Sequence, residues 1–89
     1  MSGRVERIEQ ALREAFAPQD LEIVDDSAAH AGHAGARSGM GHFNVLIVAE
    51  AFAGQPPLAR HRMVYQALGE LMRTDIHALS LRALAPDEL

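Results

Sequence analysis

The sequence predicts an α+β fold, αββαβ in order, with a three-stranded mixed sheet and helices packed on one face. Three observations predict it. Val5, Ile8, Leu12, Ala15 and Phe16 recur at three- and four-residue steps, the stripe of an amphipathic helix. Three short runs, near residues 21–25, 42–50 and 76–83, have the alternation or β-branched content of strands. A proline-led helical pattern lies between the second and third runs, so that unit is a right-handed crossover joining two parallel strands. The first two strands can pair antiparallel.

The elements follow in order. The first helix runs from Ser2 to Phe16, with Ser2 as its cap and Pro18 as its stop. Leu21 to Asp25 is a short strand with Leu21 and Ile23 on one face. His42 to Glu50 is a longer strand. The second helix extends from about Pro57 to Arg73, because a proline in the first turn leaves little unsatisfied. On it Leu58, His61, Val64, Tyr65, Leu68, Leu71 and Met72 share a broad face, so His61 is expected on the inward or edge side. Ile76 to Ala83 is the third strand, with His77, Leu79 and Leu81 on one face and Ile76, Ala78 and Ser80 on the other. Residues 84–89 read as a frayed tail. The connection 27–41 is long for neighbouring strands and contains Gly32, Gly35, Gly39 and Gly41 with His30 and His33, so it is expected to be a flexible His/Gly-rich loop.

Eighty-nine residues allow a single domain, 1–89, with one modest core. Twelve acidic against eight basic residues give a net charge of −4, which argues against a strongly basic nucleic-acid binder. The absence of Cys excludes disulfides, thiolate metal sites and cysteine nucleophiles. No apolar run approaches the ~20 residues of a membrane helix, and the first residues lack a signal peptide's apolar stretch. A soluble, cytoplasmic protein is expected.

Arg60-His61-Arg62 is the most unusual chemical choice in the chain. A helix start and two cationic neighbours all disfavour the imidazolium form, leaving the lone pair that a metal ligand needs. His30 and His33 are further ligand candidates, although two histidines in a glycine-rich loop do not specify a metal. Two histidines alone leave iron or zinc unsaturated, so further ligands must come from outside. His42 and His77 are expected to be structural histidines in strands. Arg60, Arg62 and Arg37 form a weak candidate patch for nucleic-acid phosphates, with a solvated helix face as the simpler reading. Gly32-His33-Ala34-Gly35 is a literal GxxG, but it lies between strands rather than helices and is read as a decoy. Ser27, Ser38 and Ser80 lack a nucleophile context, Asp25-Asp26 begins a loop, and no catalytic residue is assigned. The chain is not expected to be an enzyme.

Several stretches, in order, are shared with a known family: Leu21-Glu22-Ile23-Val24-Asp25-Asp26-Ser27, His42-Phe43-Asn44-Val45, Ala51-Phe52-Ala53-Gly54, Arg60-His61-Arg62-Met63-Val64-Tyr65 and Ile76-His77-Ala78-Leu79-Ser80. From about Val5 to Ala85 the chain resembles the BolA family. The resemblance implies a KH-like fold without a working GxxG clamp. It implies a monothiol glutaredoxin as partner and a 2Fe–2S cluster shared with the glutaredoxin cysteine and a glutathione thiolate, none being expected in the isolated chain. It puts one ligand on the histidine of the Arg-His-Arg stretch, His61, and the other on His30 in the loop, with His33 as the alternative. It also implies a second reading, a DNA-binding transcriptional regulator of cell shape and stress response. A homodimer is compatible with either reading.

Overall fold

The computed structural model describes residues 3–26 and 41–89. Helix α1 spans Arg4–Phe16 and strand β1 spans Asp20–Asp25. Strand β2 spans Gly41–Val48 and leads through a 3-10 turn, Glu50–Phe52, to helix α2, Pro57–Leu68. A four-residue helix α3, Leu71–Thr74, precedes strand β3, Ile76–Leu84, and a second 3-10 turn, Pro86–Glu88. The sheet order is β1-β2-β3, antiparallel then parallel, as the sequence predicts.

Alternation decides which sheet face is covered. In β2, Phe43, Val45 and Ile47 point to the core. They meet Ile8 and Leu12 of α1, Val64 and Leu68 of α2, and Phe52 of the connecting turn. Leu21 and Ile23 of β1 and Leu79 and Leu81 of β3 close the same core. Burying a side chain the size of Phe43 contributes about 1.5–3 kcal/mol, so this one cluster supplies most of the driving force.

Four expectations are corrected. Gly3, with the Glu6 carboxylate accepting its N–H at 3.4 Å, caps α1, and Ser2 lies outside the described residues. The second helix breaks at Gly69, which has φ +50°, so α2 ends at Leu68 instead of continuing to Arg73. The face expected to be buried on α2 holds only in part: Val64 and Leu68 are buried as expected, but Leu58 is 63% exposed and Tyr65 40%, and Arg60 turns inward. Arg60 can point inward because its stem packs like an aliphatic chain and its head finds partners. Finally, the segment expected to fray is held. Ala85 is buried, Leu84 completes β3, and the Glu88 carboxylate accepts the Ala85 N–H at 2.9 Å.

The loop histidines His30 and His33, the GxxG stretch and Arg37 lie outside the described residues. Their flanks are described. The Asp26 N–H donates to the His42 carbonyl at 2.8 Å, and the Gly41 N–H donates to the Asp75 carbonyl at 2.8 Å. Both ends of the connection are therefore tied to the end of the sheet where β2 and β3 begin.

Candidate functional site

Arg60 occupies the opposite end of the sheet. Its Nε donates to the Gln55 carbonyl at 2.7 Å and its Nη1 to the Ala83 carbonyl at 2.9 Å. Nη1 and Nη2 also grip the two Glu88 oxygens at 2.6 and 2.8 Å. This bidentate grip, with the Ala85 N–H, lowers the Glu88 carboxyl to about 2. The expected surface cation is thus committed to internal partners, and Arg60 is corrected from the candidate phosphate patch. Arg62 remains exposed.

His61 is half-buried at the edge of α2, and its ring lies 6.3 Å from that of Tyr65, tilted by 52°. It lies between the exposed Leu58 and Tyr65 on one side of the helix's first two turns. Since the neighbouring Arg60 reaches Ala83, His61 belongs to the end of the sheet where β3 finishes. From Ile76 to Ala83 the strand climbs about 20 Å. The structure therefore does not bring His61 beside Asp26 and Gly41, the described flanks of the segment that bears His30 and His33.

A different histidine stands there. Gly41 pairs with Ile76, but His42 pairs with Ala78, so β3 carries one extra residue at this point. That residue is His77, in a β-bulge. The bulge changes the strand's phase. Ile76 joins the core at 2% exposure although Leu79 and Leu81, at odd positions, also face it, and His77 is exposed. The expectation that His77 shares one face with Leu79 and Leu81 is corrected by this extra residue. His42, across the register, is half-buried.

The backbone just before the bulge is clamped. Asp75 accepts from the Thr74 hydroxyl at 2.6 Å and from the Arg7 guanidinium of α1, and Arg4 Nε lies 3.7 Å from the same carboxylate. The Thr74 hydroxyl and these cations hold the Asp75 carboxyl below the usual carboxylate range. Among the described residues no group of three or more His, Asp or Glu side chains could hold a metal ion. The sequence places His77 in a strand as a structural histidine, and its exposure at the bulge had a signal there. The apolar alternation of residues 76–83 fits two different phases, which is what a bulge produces.

A model of the BolA-like protein family matches residues 12–88. The chain belongs to the BolA-like family. It is 49% identical over 76 residues to the "DNA-binding transcriptional regulator BolA" of Escherichia coli, covering 85% of this chain and 70% of that protein. It is 40% identical over 91 residues to "Protein BOLA1, chloroplastic" of Arabidopsis thaliana, covering 99% of this chain but only 57% of that one. Among solved structures, the BolA domain of SufE1 from Arabidopsis thaliana superposes with a TM-score of 0.87 at 38% identity, over 100% of this chain and 99% of that domain. The α+β architecture is thus the BolA fold. No helix among the described residues is long and apolar enough to cross a membrane.

Proposed function

We propose that this BolA-like chain is a non-enzymatic cytoplasmic adaptor that binds a monothiol glutaredoxin and shares a 2Fe–2S cluster with it, in iron–sulfur cluster trafficking or iron regulation. The observation that carries the reading is the exposed His77 at the β3 bulge, beside the described flanks of the segment that bears His30 and His33. The donor set fits half of such a cluster. Neutral imidazoles supply two ligands, and a chain with no Cys requires its thiolates from outside, from the glutaredoxin cysteine and glutathione. Imidazole in place of thiolate removes negative charge and raises the cluster's potential. In this reading His77 replaces His61 as the ligand fixed on the folded frame, and His30 or His33 is its companion.

The test mixes the chain with a monothiol glutaredoxin, iron, sulfide and glutathione and records visible circular dichroism. His77→Ala is expected to lose the mixed-cluster spectrum and His61→Ala to keep it. The reverse pattern returns the ligand to His61, and a wild-type mixture without any mixed-cluster spectrum removes the function. His30→Ala against His33→Ala identifies the loop ligand.

A second reading is DNA-binding regulation, favoured by the name of the Escherichia coli relative. With Arg60 committed to Glu88, Arg62 and Arg37 remain as its candidate contacts. Promoter binding no tighter than binding to random DNA at physiological salt would eliminate it as a specific regulator.

A further inference from the structure

The sheet face away from the helices is organised in rows across the three strands. The register places Glu22, Leu46 and Arg82 in one row and Val24, Asn44 and Ser80 in the next. Strands lie about 4.8 Å apart, so Glu22 and Arg82 stand about 10 Å apart on either side of Leu46. These six residues line a shallow open groove of about 290 Å³. Val24 is 46% exposed, Leu46 is half-buried, and Glu22 and Arg82 are exposed. Among the described residues neither Glu22 nor Arg82 enters an ion pair, whereas Arg4, Arg7, Arg13, Arg60 and Arg73 all do. The face is therefore a small apolar strip with an acid on the β1 side and a base on the β3 side.

We propose that this face docks a second copy of the chain, sheet against sheet, about a two-fold axis parallel to β2. That axis lays β1 of one copy over β3 of the other. Glu22 then meets Arg82 of the second copy, twice, and Leu46 meets its own counterpart. An in-plane axis perpendicular to β2 would set Glu22 over Glu22 and Arg82 over Arg82, so charge selects the first arrangement. Self-complementarity of this kind is what an isologous interface requires. Aligned sheets pack about 10 Å apart, within reach of both ion pairs. Asp20 and Glu22 on the β1 side oppose a phosphate polymer on the same surface. Three short strands bury no more than about 1,200 Å² in total, so the dimer is weak and reversible.

Sedimentation velocity from micromolar to millimolar concentration tests this directly, independently of any cluster or DNA. The wild type is expected to self-associate with rising concentration. Glu22→Arg and Arg82→Glu, both at exposed positions, are each expected to raise the dimer dissociation constant about tenfold or more. An equimolar mixture of the two variants recreates both opposite-charge contacts and is expected to return to within about threefold of wild type. Far-UV circular dichroism checks that each variant is folded. A wild type that stays monomeric to millimolar concentration overturns the proposal. So do single variants that dimerise as well as wild type, or a mixture that fails to recover.

Discussion

The two ends of β3 are held by arginine–carboxylate clamps of opposite construction. Where the strand starts, Asp75 is the sheltered partner at 13% side-chain exposure, and Arg7 reaches it from α1 at 42%. Where it ends, Arg60 is the sheltered partner at 10%, and Glu88 comes to it at 39%. Just beyond the sheltered carboxylate the strand takes up its extra residue, and His77 lies exposed two positions later. A sheltered guanidinium at the strand end has more donors to satisfy. It gathers two carbonyls and a carboxylate and closes the segment that follows. The same pair of charges thus stands beside an exposed histidine at one end and seals the chain at the other.

The sharpest way to break this comparison is to exchange the roles of the two histidines. If the end where β3 starts is the ligand end, His77→Ala abolishes the mixed-cluster signal while His61→Ala leaves most of it. Equal losses would mean that the two ends do not differ in function. Next in size, Arg60→Ala is expected to lower Tm by several degrees and to speed amide exchange at Ala85, because two carbonyls and Glu88 lose their donor together. Asp75→Asn should cost less, about 1 kcal/mol, since the cations it holds are half in water. Thermal melts of both variants against wild type check this order.

Acid sharpens it further. Both carboxyls are held low in the folded chain, so ionisation favours folding. For Glu88 the contribution is fully present above its ordinary value of 4.5 and is lost as pH falls towards about 2. The Tm difference between wild type and Glu88→Gln should therefore shrink steadily across that window. A difference constant with pH would show that Glu88 acts by packing. The smallest expected effect is at Arg62. If DNA is bound, Arg62→Ala reduces the salt slope by about one, with no preference among sequences.

The strands and their pairing were legible because each depends on local alternation and on the handedness of a strand–helix–strand unit. The stripe of α1 was legible for the same reason. The phase of α2 was not. Leu58 and Tyr65 looked like core, and Arg60 like surface, until Glu88, 28 residues later, provided the carboxylate that lets a guanidinium turn inward. The Pro86–Glu88 turn looked like a tail for the same reason. His77 looked structural because strict alternation paired it with Leu79, and one extra residue opposite Gly41 and His42 reverses that parity.

By itself the sequence determined that this is a small α+β chain with no thiol of its own and with histidines as its nitrogen donors for a metal. It determined this because composition and periodicity are properties of the chain alone. Only the tertiary structure decided which histidine stands beside the flanks Asp26 and Gly41 and which arginine is unavailable. Both depend on register and on partners distant in sequence, and burial of a charge is settled by whether such a partner arrives.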